Sequence, residues 1–267
     1  MIDFILYMCH VHKKGLSQCR IVDEILTQLP DVRCEYRDIV YENDNKHSLN
    51  PAERVKGNDV YRLKKSDHVK ISCTGKVFRS NSSLKWSGHA AGFRALIPNK
   101  SPAAREDALS VLILAFDSTS KNGFIRRMPK SYKYLREGLD AVILNGYNIA
   151  GDGTPAAIFP ILTGKTELEL PDVRKSMNNH AHLDVMPFIF YTLRDDGYRT
   201  AYFEDMPWIG TFQYRFNGFL EQPADHYLRA FFLEESGNGN RWWNKHKKKY
   251  CVGAIPQHAL MLNLTAQ

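Results

Sequence analysis

The pattern of apolar and polar positions changes character partway along the chain. Residues 1–35 hold one short apolar run, Ile2-Asp-Phe-Ile-Leu-Tyr-Met-Cys, and one helical pattern, Ile21, Ile25, Leu26 and Leu29, stopped by Pro30. From Val55 to Leu63 and from Val69 to Cys73 the chain alternates as half-buried strands do, between polar clusters. Trp86, His89 and Phe93 lie in a Ser/Gly-rich stretch that reads as loop, and Pro98 to Pro102 reads as a linker. After the linker, strand-like and helix-like segments take turns. Six apolar residues, 111–116, predict a buried strand. A helix follows around 124–138, with Phe124, Met128, Tyr132 and Leu135 on one face and Pro129 kinking it or marking its start. Then come a strand at 141–144, a short helix at 155–163, an amphipathic helix from Asp184 to Leu193, and a strand from Arg199 to Phe203. This alternation predicts an α/β fold, a mainly parallel sheet with flanking helices, over residues 103–267. A small β-rich region, residues 1–102, precedes it. The aromatic segment 206–232 reads as core.

The candidate chemistry sits in residues 111–166. A buried strand that ends in Asp117 delivers a carboxylate beyond its carboxyl end, where open α/β sheets collect their chemistry. Asp117 is placed as a metal ligand or general base would be; a turn or cap gives the same pattern. Thr154 follows Gly151-Asp-Gly and precedes Pro155, so it reads as the N-cap of the next helix. A hydroxyl there lies at the positive end of a helix dipole, which favours an oxyanion or a phosphate. Asp152 either joins a metal or shapes the turn.

Several motifs in order carry a resemblance: Leu112-Ile-Leu-Ala-Phe-Asp-Ser-Thr-Ser, Arg127-Met-Pro-Lys-Ser-Tyr-Lys-Tyr-Leu, Gly151-Asp-Gly-Thr, Leu162-Thr-Gly-Lys-Thr, Tyr202-Phe-Glu-Asp-Met-Pro-Trp-Ile-Gly-Thr-Phe and Gly218-Phe-Leu-Glu-Gln-Pro-Ala-Asp-His-Tyr-Leu-Arg. The chain resembles the sulfatase-like family of animal secreted proteins called domain of unknown function 229, within the alkaline phosphatase superfamily. The resemblance implies an alkaline-phosphatase-like sheet, Asp117 as a metal ligand and Thr154 at the nucleophile position and beside the metal. It also implies a divalent cofactor, zinc first, an anionic ester substrate, and an extracellular location. With secretion comes an implied disulfide between Cys34 and Cys73.

The same resemblance marks departures. The Cys- or Ser-Pro-x-Arg sulfatase signature is absent around Thr154, which points to the threonine branch of phosphodiesterases. Related sequences carry an Asn three residues after that threonine; here Ala157 stands there. Losing one oxyanion donor costs roughly 10²–10³ in rate. No Asp-His-Gly metal motif occurs, Asp225-His226 being followed by Tyr227, and His180 and His182 read as solvated. The implied fold is therefore expected to be incomplete at its C-terminus, as in a truncated member of the family. A catalytically inactive binding or structural protein on the same fold is the competing expectation.

Composition narrows the rest. A hydrophobic content of 43% and a charged content of 24% suit a globular chain with a sizeable core. The net charge of +7 owes much to Arg62-Leu-Lys-Lys and Lys245-His-Lys-Lys-Lys, runs that read as solvated faces. No nucleic-acid-binding fold signature accompanies them, so no nucleic-acid partner is expected. No run approaches the ~20 apolar residues of a membrane span. None of the five cysteines forms a Cys-x-x-Cys pair, which argues against a zinc ribbon. Asn81, Asn99 and Asn263 open glycosylation sequons.

Overall fold

The computed structural model describes residues 7–11, 17–21, 32–56, 59–76, 83–94, 109–177, 181–237, 251–252 and 255–266, the first two segments by backbone alone. The helical pattern at Ile25–Leu29, the linker at 98–102, the sequons at Asn81 and Asn99, the basic run at Lys245 and His180 lie outside the described residues. The chain divides into two compact units. One joins residues 1–102 with 171–267; the other is residues 103–170.

The first unit is built on antiparallel strands. β1 (Tyr7–Val11) pairs with β2 (Ser17–Ile21), which also pairs with β6 (Tyr61–Arg62). A second sheet runs β4 (Lys46–Leu49), β3 (Arg33–Asn43), β7 (His68–Lys76) and β8 (Ser83–Ala91), with β5 (Glu53–Lys56) also on β3. Alternation drives these pairings: Cys34, Tyr36, Val69, Ile71 and Cys73 turn inward with Val32 and Tyr61. Cys34 stands opposite Cys73 in the register, and the two form a disulfide with their Cα atoms 4.1 Å apart. The expected pairing is therefore present.

The stretch around Trp86 is a strand and not a loop. From Ser83 to Gly88 polar residues alternate with apolar or small ones, but the small residues on the apolar positions hide the period. Gly88 is small for a reason. The ring of Trp86 lies across it, and a Cβ there would stand 2.3 Å from the indole.

Residues 171–267 add the rest of this unit. After a 3₁₀ turn at Leu183–Val185 comes α4 (Ile189–Asp195), the fourth α-helix among the described residues. The single helix expected from Asp184 to Leu193 is interrupted because Pro187 holds Met186 in an extended conformation. β9 (Ala201–Tyr202) pairs in parallel with β10 (His226–Tyr227) over two residues. α5 (Arg229–Glu235) buries Arg229 through Leu233 and packs on β3, β4, β7 and β8. β11 (Cys251–Val252), β12 (Ile255–Pro256) and α6 (Gln257–Thr265) follow. The aromatic segment is core, as expected: Phe212 and Phe219 meet Phe188 edge-on at 5.4 and 5.2 Å, and Phe216, Phe231 and Phe232 are also buried. Tyr214 alone of the described side chains expected there is well exposed.

The second unit contains α1 (Lys121–Arg127), α2 (Pro129–Lys133) with a π turn at Tyr134–Gly138, and α3 (Thr154–Thr163). Pro129 does break the long helix, giving α2 its first residue. Two expectations fail here. Residues 111–116 and 141–144 are not strands, and their side chains are not buried: Val111, Leu112 and Val142 are 83%, 72% and 86% exposed. A strand exists only through a partner's hydrogen bonds, and no described residue pairs with either run. The molecule is thus a mixed α/β protein whose described sheets are mainly antiparallel, not the mainly parallel sheet expected. The sole parallel pairing among the described residues is β9 with β10.

Candidate functional site

Asp117 and Thr154 meet in the second unit although 37 residues separate them. Thr154 Oγ1 donates toward Asp117 Oδ1 at 3.4 Å. The chain turns sharply after Asp117. Ser118 adopts φ of 51°, and its N–H donates to Asp117 Oδ1 at 2.8 Å. Thr119 Oγ1 donates to the Asp117 carbonyl at 3.1 Å. Ser120 then caps α1 by accepting from Gly123 N. One carboxylate oxygen therefore shapes this turn, in keeping with the Asx-type role open to Asp117 from sequence.

On the other side, Gly153 holds φ of 91° and is the N-cap of α3. Thr154 is the first helical residue and not the N-cap, so the helix begins one residue earlier than expected from sequence. Pro155 sits at the next position, where its missing N–H costs nothing. Pro155, Phe159 and Leu162 form the buried stripe of α3, while Gly164 ends it at φ of 69°. Packing along that stripe presents Thr154 at the helix start. Asp117 is exposed and Thr154 half-buried. Ala157 lies within the helix, its N–H bonded to the Gly153 carbonyl, and offers no side-chain donor. Asp152 is exposed on the preceding bend.

A cation at 2.0–2.5 Å from each oxygen, the usual range for hard divalent ions, would reach both Asp117 Oδ1 and Thr154 Oγ1 across 3.4 Å. The pair fits part of such a donor set. Among the described residues no group of three His, Cys, Asp or Glu side chains is placed to hold a metal. His182 and Asp205 belong to the other unit.

That other unit holds carboxylates which sequence reading passed over. Asp44 is fully buried and accepts from Gln213 Nε2 at 2.6 Å, Phe219 N at 2.7 Å, and the hydroxyls of Tyr41 and Tyr227, both at 2.9 Å. Gly218 lets it approach: φ there is 72°, and a Cβ would stand 2.2 Å from Asp44 Oδ2. Burial pushes the Asp44 carboxyl above its ordinary pKa against the pull of these donors. Glu204 is likewise raised by burial while it accepts from Thr211 N and Oγ1, each at 2.6 Å.

Glu234 on α5 accepts from His47 Nε2 at 2.7 Å and Lys70 Nζ at 2.6 Å. His89 Nε2 stands 3.8 Å away, beyond hydrogen-bond reach. The bond from His47, with His89 and Lys70 beside it, holds the Glu234 carboxyl far below the ordinary range.

The Asp225-His226-Tyr227 motif is wired in the same manner. Asp225 Oδ2 accepts from Thr200 N at 2.9 Å, His226 Nδ1 contacts Asp67 Oδ2 at 2.7 Å, and Tyr227 reaches Asp44. Each residue of the motif fastens a different segment. The one signal in the sequence was polar residues inside an aromatic-rich run, which is where a buried carboxylate must find its donors.

The sequence model of a family described as "Protein of unknown function (DUF229)" matches residues 6–267. The chain belongs to the DUF229 family. No curated protein and no solved structure gives a match. The match spans residues of both units. No helix among the described residues is long and apolar enough to cross a membrane.

Proposed function

We propose that this DUF229 chain carries the Asp117–Thr154 part of a metal-dependent ester-hydrolase site of the sulfatase and phosphodiesterase kind, in an alkaline-phosphatase-like lineage. One observation supports this above others: Thr154 Oγ1 lies 3.4 Å from Asp117 Oδ1 at the start of a ten-residue helix. The resemblance in ordered motifs names the same two residues. In this reading Asp117 would hold a divalent cation, zinc first, through Oδ1, the oxygen that faces Thr154. Thr154 Oγ occupies the nucleophile position and touches the same ion. When bound, the cation lowers the pKa of a nearby hydroxyl and offsets charge on an anionic phosphate or sulfate ester. The α3 N-terminus adds a favourable field for that anion. The Cys34–Cys73 disulfide supports an extracellular setting.

Two oxygens do not fix a catalytic metal, and Ala157 supplies no oxyanion donor. The chain as it stands is therefore expected to turn over aryl phosphate, phosphodiester and sulfate esters negligibly. The absence of a third ligand among the described residues favours a second reading, a catalytically silent extracellular binding protein on the same scaffold. The test is an assay of the purified chain with Zn²⁺, Mg²⁺, Mn²⁺ and Ca²⁺, beside Thr154→Ala. Background rates in both proteins are the expected result and leave the remnant-site and silent readings standing. Metal-dependent turnover lost in Thr154→Ala would show that further ligands complete a working site.

A further inference from the structure

β1 and β2 run antiparallel, and their register sets Cys9 opposite Cys19. The same relation holds between β3 and β7, where Cys34 stands opposite Cys73 and the two are bonded. Directly opposed residues of an antiparallel pair have Cα atoms about 4.5–5.5 Å apart, within the span of a disulfide. We propose that Cys9 and Cys19 form a second cross-strand disulfide, closing the β1–β2 hairpin across residues 12–16.

Three arguments carry it. The backbone register already makes the pairing, so the bond requires no rearrangement of the strands. The rest of the cysteine inventory agrees: Cys34 and Cys73 are committed to one another, and Cys251 is an exposed free thiol on β11. The existing disulfide also shows the chemistry that this fold accepts between neighbouring strands. β2 carries the consequence further, because Cys19 is the register partner of Tyr61, whose hydroxyl donates to buried Asp38 at 2.8 Å. The bond would fasten the first hairpin to a strand anchored in the core.

The reaction balances as thiol–disulfide exchange. The thiolate of one cysteine attacks a disulfide-bearing oxidant, such as an oxidised dithiol oxidoreductase, and the second displaces it. Two thiols lose two protons and two electrons, and the oxidant's disulfide becomes two thiols. This proposal stands apart from the hydrolase reading and survives its failure.

The test is peptide mapping of the full chain produced by a secreting cell. Free thiols are alkylated in denaturant without reduction, and the chain is cut with trypsin. Cleavage after Lys13, Lys14 and Arg20 places the two cysteines on separate peptides, 1–13 and 15–20. The expected result is a linked 1–13/15–20 species that vanishes on reduction, with Cys251 as the alkylated cysteine. Alkylated Cys9 and Cys19, or either one joined to a different cysteine, would overturn the proposal. In Cys9→Ser, Cys19 should become alkylated; if that variant fails to fold, the wild-type map decides alone.

Discussion

Asp44 and Asp117 are the same side chain in two opposite settings. Asp44 is buried among an amide, a backbone N–H and two tyrosine hydroxyls, all supplied by its own unit. Asp117 is exposed, gives one oxygen to a turn, and meets Thr154 only at 3.4 Å. A saturated carboxylate has no lone pair left for a ligand, and its work is to join segments distant in sequence. An exposed carboxylate with a free oxygen contributes little to stability and keeps the capacity to bind. Glu204, Glu234 and Asp67 fall with Asp44. The comparison assigns fold to one set and ligand chemistry to the other, and it can be broken from either side.

The largest effect is expected at Asp44. Asp44→Ala leaves Gln213, the Phe219 N–H and two tyrosine hydroxyls without their acceptor in a dry site, and should cost roughly 3–5 kcal/mol. Urea unfolding of the variant measures it. A loss below about 1 kcal/mol would mean that the network is incidental to the fold.

Acid should also act on the first unit. His68 is fully buried beside Asp67 and Phe231, and burial pushes its pKa down to about 4. The unfolded chain takes up that proton nearer pH 6.5. Between those values the unfolded state binds more protons, so stability present above pH 6.5 is lost as pH falls toward 4. At 1.4 kcal/mol per unit the effect is at most roughly 3 kcal/mol. His68→Phe should flatten the stability profile in that window, and an unchanged slope would remove His68 as its cause.

A smaller effect is expected at Glu234. Its depressed pKa contributes stability above about pH 4.5, the unfolded value, that is lost as pH falls further toward the folded pKa. Glu234→Gln keeps the shape of α5 but weakens its hold on His47 and Lys70. A loss on the order of 1–3 kcal/mol at pH 7 should appear, with a shallower acid limb. Thermal melts at pH 7 and pH 4 compare the two proteins.

These contrasts also explain what could be read from the chain beforehand. The alternation of β7 was visible because apolar residues mark every second position from Val69 to Cys73, whereas β3 was not read as a strand. β8 was not, because Gly88 and Ala90 stand where large residues usually announce the inward face. Pro129 signalled a helix start correctly, whereas Pro187 was passed over and split a helix that the apolar spacing alone made continuous. The runs at 111–116 and 141–144 are as apolar as any buried strand, yet composition cannot supply a partner. Spacing and turn residues placed Thr154 at a helix start within one position. The proximity of Asp117 to Thr154 followed from the resemblance, as did the expectation that further metal ligands are missing. Three of the four donors around Asp44 come from residues 169 to 183 positions away, a distance that no local pattern reports.

The smallest expected effect on stability belongs to the candidate site itself. Asp117→Asn and Thr154→Ala should each change unfolding free energy by no more than about 0.5 kcal/mol, as surface positions outside a packed network do. Their effect on ligand uptake should be large, and this is the direct test of the central claim. Zinc titrated calorimetrically into the wild-type chain and both variants, with each melt recorded alongside, reads the two effects at once. The account predicts one weak site in the wild-type chain, with affinity reduced at least about tenfold by either substitution while the melts coincide. Equal zinc affinity in all three proteins would contradict it, and Asp117 and Thr154 would then be a turn and a helix start and nothing more.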